Sequence, residues 1–281
     1  GYRSNWNKHV KPIFGAREIG SIRYSEICTW LNDLEDNGVG RATQRQAFIV
    51  LNRILKSAKR DKLIPSLPTD DVEVRPVPKP AVRIFTPAQF ARFLEFVPEY
   101  WKPLIRTGIG TGMRASELRG MVPAQVNWSR KTIRVDRATV HLGTNAMGGA
   151  FIDKDYPKDR VTREIKVDDA VLRDIAKVMK ARGLQPTSTE KIFLDESADP
   201  FTSQTLSDVF HVACEKAGVP SRTFKHLRSS KASWMLKETQ DLMGVMEYLG
   251  HSDVATTQKY LAAIGEDEIE EDEASFEAYL D

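Results

Sequence analysis

Tyr248-Leu249-Gly250-His251-Ser252-Asp253-Val254-Ala255-Thr256-Thr257-Gln258-Lys259-Tyr260-Leu261 is the stretch whose reading decides the fold. Glycine lets the chain bend sharply before His251, because a residue without Cβ enters left-handed backbone at no steric cost. Ser252 is a good N-cap, so the spacing predicts a helix that starts just after it and carries Tyr260 about two turns in. One loop-and-helix unit thus presents an imidazole and a phenol together. By themselves the two residues fit a capping-loop histidine and a half-buried helical tyrosine equally well.

Two other segments shift that balance. Thr111-Gly112-Met113-Arg114-Ala115-Ser116-Glu117-Leu118-Arg119-Gly120 sets an arginine at the start of a helix, just after glycines 108, 110 and 112. Phe224-Lys225-His226-Leu227-Arg228-Ser229-Ser230 carries a second arginine, with Lys225 three residues before it. Together these segments resemble the tyrosine recombinase (phage integrase) family over roughly residues 84–262. The family's pattern is an arginine in a TGxRxxEL-like segment, a lysine on a β-hairpin, an HxxR segment, then LGH and a tyrosine. Here Arg114, Arg228, His251 and Tyr260 follow in that order, with the tyrosine nine residues after the histidine.

The resemblance implies a mainly α fold with a small antiparallel β-sheet in the second domain. It implies a helical core-binding domain, an α+β catalytic domain, and site-specific DNA recombination through a 3′-phosphotyrosyl intermediate and a Holliday junction. It assigns catalysis to Arg114, Lys158, Lys225, Arg228, His251 and Tyr260, and requires no cofactor. Lys225 takes the place commonly held by histidine, since positions three apart share a helix face and positions two apart do not; His226 is the second choice. The hairpin lysine is assigned to Lys158 in Tyr156-Pro157-Lys158-Asp159-Arg160-Val161-Thr162-Arg163, with Lys154 and Arg160 as rivals.

Elementary chemistry asks for the same parts. Cutting a phosphodiester without a metal needs a nucleophile, fixed positive charge around the phosphate and an acid for the leaving oxygen. No HExxH or comparable metal spacing is present, so the charge must come from side chains. Arginine suits this because its planar fork holds two oxygens and stays protonated. Glu117, three residues after Arg114 on the same helical face, is placed to hold that guanidinium.

Composition sets the outer limits. A chain of 281 residues, 41% hydrophobic, buries one or two ordinary cores. Its longest apolar run is the five residues 47–51, far below the roughly 20 of a membrane span. Cys28 and Cys214 sit in apolar helical patterns without CxxC spacing and read as core residues in a reducing compartment. Residues 262–281 hold nine acidic and no basic side chains, leaving 41 basic against 30 acidic in residues 1–261, a net +11. A body this basic favours a polyanionic partner.

Residues 1–66 read as a small helical domain. Trp6, Val10, Ile13 and Phe14 are expected on one face, and Ser25 is expected to cap a second helix that Asn37-Gly38 ends. A third helix carries Ala47, Phe48, Val50, Leu51, Ile54, Leu55 and Ala58 as its apolar stripe. Arg41, Arg45, Arg53, Lys56, Lys59 and Arg60 lie off that stripe as candidate phosphate contacts. Pro65, Pro68 and Pro76-Val77-Pro78-Lys79-Pro80 mark residues 67–83 as an extended linker. A second domain spans 84–262, opening at the N-cap Thr86-Pro87. Strands are expected over 131–135 and 163–167, with a Gly-rich loop at 141–151 between them. Residues 263–281 form an acidic tail.

The resemblance further implies a C-shaped clamp on double-stranded DNA at attachment-type core sites, a homo-tetramer on DNA, and a monomer or dimer when free. Accessory DNA-bending proteins, a bacterial host cytoplasm and an upstream arm-binding domain absent from this sequence complete the expectation. A type IB topoisomerase and a non-catalytic DNA-binding protein on the same fold are the alternatives.

Overall fold

The structure, a computed structural model, describes residues 1–78, 82–142, 150–157 and 161–250. Its chain divides into two compact units, Gly1–Pro80 and Ala81–Asp281.

In the first unit, α1 (Tyr2–Asn5), a π-helical turn (Trp6–Val10) and α2 (Lys11–Phe14) run end to end, followed by α3 (Tyr24–Asp36) and α4 (Arg41–Arg60). Val10, Phe14, Ile27, Trp30, Leu51 and Leu55 form its core. The Trp30 indole donates to the His9 carbonyl at 2.9 Å, satisfying the one polar atom that ring buries. The π turn accommodates an extra residue per turn, and Ile13, expected inside, stands 52% exposed. Helix α3 starts two residues earlier than a Ser25 cap implies, because the Glu26 carboxylate accepts the Arg23 N–H at 2.9 Å and fixes Arg23 as the cap. Helix α4 buries Ala47, Val50, Leu51, Leu55 and Ala58 as expected, while Ile54 is exposed. The proline-marked stretch is not wholly a free linker: Leu67, Val72 and Val74 pack on this core, and Thr69 Oγ1 donates to Asn52 at 2.8 Å.

The second unit opens as its sequence implies. Thr86 Oγ1 accepts the Gln89 N–H at 3.1 Å and the Gln89 side chain accepts the Thr86 N–H at 3.3 Å, a reciprocal cap for α5 (Pro87–Glu95). Helix α6 (Lys102–Thr111) ends on left-handed Gly112, and α7 (Ala115–Arg119) begins at once. Strands β1 (Val126–Asn127), β2 (Thr132–Val135) and β5 (Arg163–Lys166) form an antiparallel sheet in the order β1-β2-β5. Strands β3 (Ala138–His141) and β4 (Phe151–Lys154) form a separate two-stranded one. The expected single sheet is therefore two, and both ends of the Gly-rich stretch are strand. Four helices follow: α8 (Asp169–Ala181), α9 (Ser203–Ala217), α10 (Phe224–Thr239) and α11 (Leu242–Leu249). Phe85, Phe93 and Phe210 pack ring on ring in the core, with centroids 4.9–6.5 Å apart. The architecture is mainly α, with its antiparallel strands confined to the second unit. Among the described residues no helix is long and apolar enough to cross a membrane.

Candidate active site

Three elements of the second unit, the start of α7, strand β5 and helix α10, meet around one carboxylate. Gly112 adopts φ +62°, which closes α6 and turns the chain directly into Arg114, the N-cap of α7. Glu117, at the third position of that helix, reaches back: its Oε2 accepts the Arg114 N–H at 3.0 Å and its Oε1 accepts Arg114 Nη1 at 2.9 Å. The anticipated pairing of Glu117 with Arg114 is thus present, and it doubles as the helix cap. Glu117 is also held from the other side. Arg163 Nη2 donates to its Oε2 at 2.7 Å and Nη1 to its Oε1 at 3.3 Å.

Arg228 comes from a third element. On the first turns of α10 it donates Nη1 to the Gly112 carbonyl at 2.8 Å and Nη2 to the Leu249 carbonyl at 2.7 Å. These carbonyls close the C-terminal ends of α6 and α11, where the helix dipole favours a cation. One guanidinium therefore ties the bend before Arg114 to the bend before His251. Burial pushes the Glu117 carboxyl up, but the bonds from Arg163, the Arg114 N–H and the nearby charge of Arg228 outweigh it and hold the group below the ordinary carboxylate range. Three guanidiniums thus gather about one carboxylate.

Two neighbours show what the site does not use. His226 Nδ1 accepts the Thr223 N–H at 2.7 Å, so the ring caps α10, and that nitrogen must be unprotonated. Burial, with Arg222, Lys225 and Arg83 close by, carries His226 down to about 4. Lys225 is exposed on the same turn. Arg119, in the same motif as Arg114, points elsewhere: it is buried and donates to the Phe201 carbonyl at 2.5 Å and the Thr139 carbonyl at 2.9 Å. Burial lowers it to about 10.

Lys158, His251 and Tyr260 lie outside the described residues, as do Arg160 and the acidic tail. Of the lysine rivals, Lys154 stands on β4 with its Nζ 5.6 Å from the Tyr156 ring centre. Strand β2 pairs with β5, not with β4, and β3 and β4, which lie between them in sequence, pair with each other. Among the described residues no group of three or more His, Cys, Asp and Glu side chains is gathered as a metal site. Cys214 is buried and Cys28 half-buried, both as free thiols.

The sequence reading missed Arg163. Its signal was present: in Arg163-Glu164-Ile165-Lys166-Val167 the alternation that turns Ile165 inward turns Arg163 inward too, and the strand shows that pattern of burial. An inward arginine needs an anionic partner, and Glu117 is the one it finds.

A match to the phage integrase family covers residues 83–265, well over half of the chain. The chain belongs to the phage integrase family. Its relatives include the tyrosine recombinase XerC of Roseiflexus castenholzii, 24% identical over 272 residues that cover 92% of this chain and 81% of that one. Among solved structures, the Tn1549 transposon integrase in complex with transposon right end DNA shares the fold with a TM-score of 0.76 at 19% identity, over 95% of this chain and 92% of that one. A lambda integrase tetramer bound to a Holliday junction matches at a TM-score of 0.66 and 17% identity, over 92% of this chain and 70% of that one. As a phage integrase family member the chain is a tyrosine recombinase, an enzyme of site-specific DNA strand exchange. Arg114, Glu117 and Arg228 of this integrase-family site converge, whereas Arg41, Arg45, Arg53, Lys56, Lys59 and Arg60 stand exposed on α4 of the other unit.

Proposed function

We propose that Tyr260 is the nucleophile that cuts double-stranded DNA at attachment-type core sites, within a site whose positive charge is set by Arg114 and Arg228. The phenolate oxygen of Tyr260 attacks phosphorus, the bond to the 5′-oxygen breaks, and Lys158 supplies the proton that oxygen takes up. A 3′-phosphotyrosyl link and a free 5′-hydroxyl result. The covalent bond retains the phosphodiester's energy, so a 5′-hydroxyl from a second duplex reverses the step without ATP. Arg114, Arg228, Lys225 and His251 surround the non-bridging oxygens, where charge develops, and each such donor is worth roughly 10²–10³ in rate.

The observation that carries this reading is the gathering of Arg114, Arg163 and Arg228 about the carboxylate of Glu117, beside the bends that lead into Arg114 and His251. Support for duplex binding comes from α4. At about 100° per residue its six cations fall within an arc of about 120°, opposite the buried stripe, and none of the six makes an ion pair among the described residues. Residues 1–66 in this reading are a DNA-binding core domain and 84–262 the catalytic domain, with 67–83 as the linker in sequence. The relatives bound to transposon-end DNA and as a tetramer on a Holliday junction support a tetramer of this chain on DNA. The same reading takes the free chain as a monomer or dimer and adds accessory DNA-bending proteins in a bacterial cytoplasm.

Incubation with a nicked duplex core site, resolved on a denaturing gel, tests the reading. A covalent adduct that Tyr260→Phe abolishes is expected, together with strand exchange between two duplexes. An adduct without exchange points to a topoisomerase-like nicking enzyme, and DNA binding without an adduct refutes the chemistry.

A further inference from the structure

We infer that Arg163 is a positioning residue for strand cleavage: it compensates Glu117, so that the carboxylate draws less on Arg114 and Arg228, and it supports the Gly250 bend that leads into His251. The inference rests on the cleavage reading above and adds a residue to it.

Two observations carry it independently. The first is the sharing of the carboxylate. Arg163 sits opposite Val135 on the inward face of β5, 8% exposed, and its two terminal nitrogens each meet a different oxygen of Glu117. Glu117 itself is fully enclosed, so it must be compensated from within the protein. With Arg163 present, Glu117 is compensated by a guanidinium that belongs to neither arginine motif. Without Arg163, the carboxylate draws on Arg114 and Arg228 alone among the described residues, and the cluster loses one positive charge. In a weakly screened site this is felt directly by a phosphodiester carrying one negative charge.

The second observation concerns the bend. Gly250 adopts φ +68°, and a methyl group placed on it would come within 2.9 Å of Arg163 Cδ. The arginine stem therefore lies directly on the backbone one residue before His251, while Arg228 holds the preceding carbonyl at Leu249. Arg163 thus touches two of the three segments that the family pattern brings together, and it comes from neither.

The test compares Arg163→Met, which keeps an apolar stem and loses the charge, with the wild-type chain on two nicked duplexes. One carries an ordinary phosphodiester at the cleavage position and the other a neutral methylphosphonate. Arg163→Met is expected to slow adduct formation about 100-fold on the phosphodiester but no more than about fivefold on the methylphosphonate, which places less demand on the cationic cluster. Adding Glu117→Gln to Arg163→Met removes the uncompensated carboxylate and is expected to restore about tenfold of the loss on the phosphodiester. A purely architectural role would slow both substrates alike, and that outcome overturns the inference, as does a rate on the phosphodiester within about threefold of wild type. If Arg163→Met does not fold, Arg163→Lys takes its place. A single ammonium cannot engage both oxygens of Glu117, so the methylphosphonate-to-phosphodiester rate ratio should rise about fivefold, and an unchanged ratio rejects the idea. A wild-type chain that forms no adduct on the phosphodiester overturns the parent reading, whereas a wild-type adduct with unaffected Arg163 variants overturns this one alone.

Discussion

Glu117 is the residue on which the others depend, because its enclosed carboxylate joins Arg114 to Arg163 and lies in the field of Arg228. Arg114→Lys keeps the charge and loses the fork that spans Glu117 and a substrate oxygen. Adduct formation on a nicked duplex should fall by about 10²-fold, while the melting temperature moves little at this half-exposed N-cap. Next along, Lys225 and His226 separate by role. Lys225→Ala should reduce the adduct strongly, whereas His226→Gln, which affects a ring already committed to the Thr223 N–H, should leave it within a few-fold of wild type. His226 also leaves a mark on stability. Its folded value lies near 4 against an ordinary 6.5, so between those pH values the unfolded chain binds a proton that the folded chain does not. Stability is intact above that window and declines as pH is lowered through it; denaturant midpoints measured from pH 7 to 4 should fall less steeply in His226→Gln. Arg114 and Arg228 were legible through the family resemblance of their motifs, and Glu117 through spacing, since a helix puts i and i+3 on one face. Arg163 was not, because its contact with Glu117 joins a strand to a helix 46 residues away, and no local period encodes such a pairing.

At the level of elements, the boundaries with strong local chemistry were readable and those set by tertiary contacts were not. Thr86-Pro87 announces α5, and its reciprocal cap is in place; Thr86→Ala should cost about 1 kcal/mol in equilibrium unfolding. The strands flanking residues 143–149 were hidden by the glycines between them, and what fixes β3 is not its own pattern but Arg119, whose guanidinium spans the carbonyls of Thr139 and Phe201. Arg119→Met leaves both carbonyls without that donor and should destabilise the unit by about 1–3 kcal/mol, even though the residue lies only five positions from Arg114. The bend at Gly250 behaves differently. A side chain there meets both a left-handed backbone and the stem of Arg163, a strain of about 1–3 kcal/mol that falls on the approach to His251. Gly250→Ala is therefore expected to lose far more adduct than its change in denaturant midpoint accounts for.

Across the whole molecule the dominant feature is charge placed for a long polyanion, with a net +11 over residues 1–261 and nine acids gathered in the twenty residues that follow. The apolar period of α4 was plain in the sequence, and burial of Val50, Leu51, Leu55 and Ala58 necessarily turns Arg53, Lys56, Lys59 and Arg60 outward. Contacts of this kind to phosphates position a protein on the duplex without reading its bases, and they displace condensed counterions. Each phosphate neutralised contributes about 0.9 to the slope of log affinity against log salt. Replacing Arg53, Lys56 and Arg60 with glutamine removes three exposed cations without touching the core, so the fold should be retained. If all three lie on phosphates, the salt slope for duplex binding, followed by fluorescence anisotropy between 50 and 200 mM salt, should drop by about 3. Affinity should weaken by a similar factor for a core site and for unrelated duplex, leaving the ratio between them unchanged. A slope equal to that of the wild-type chain would move DNA off this face of α4 altogether, and a changed ratio would mean that the helix reads base edges as well as backbone.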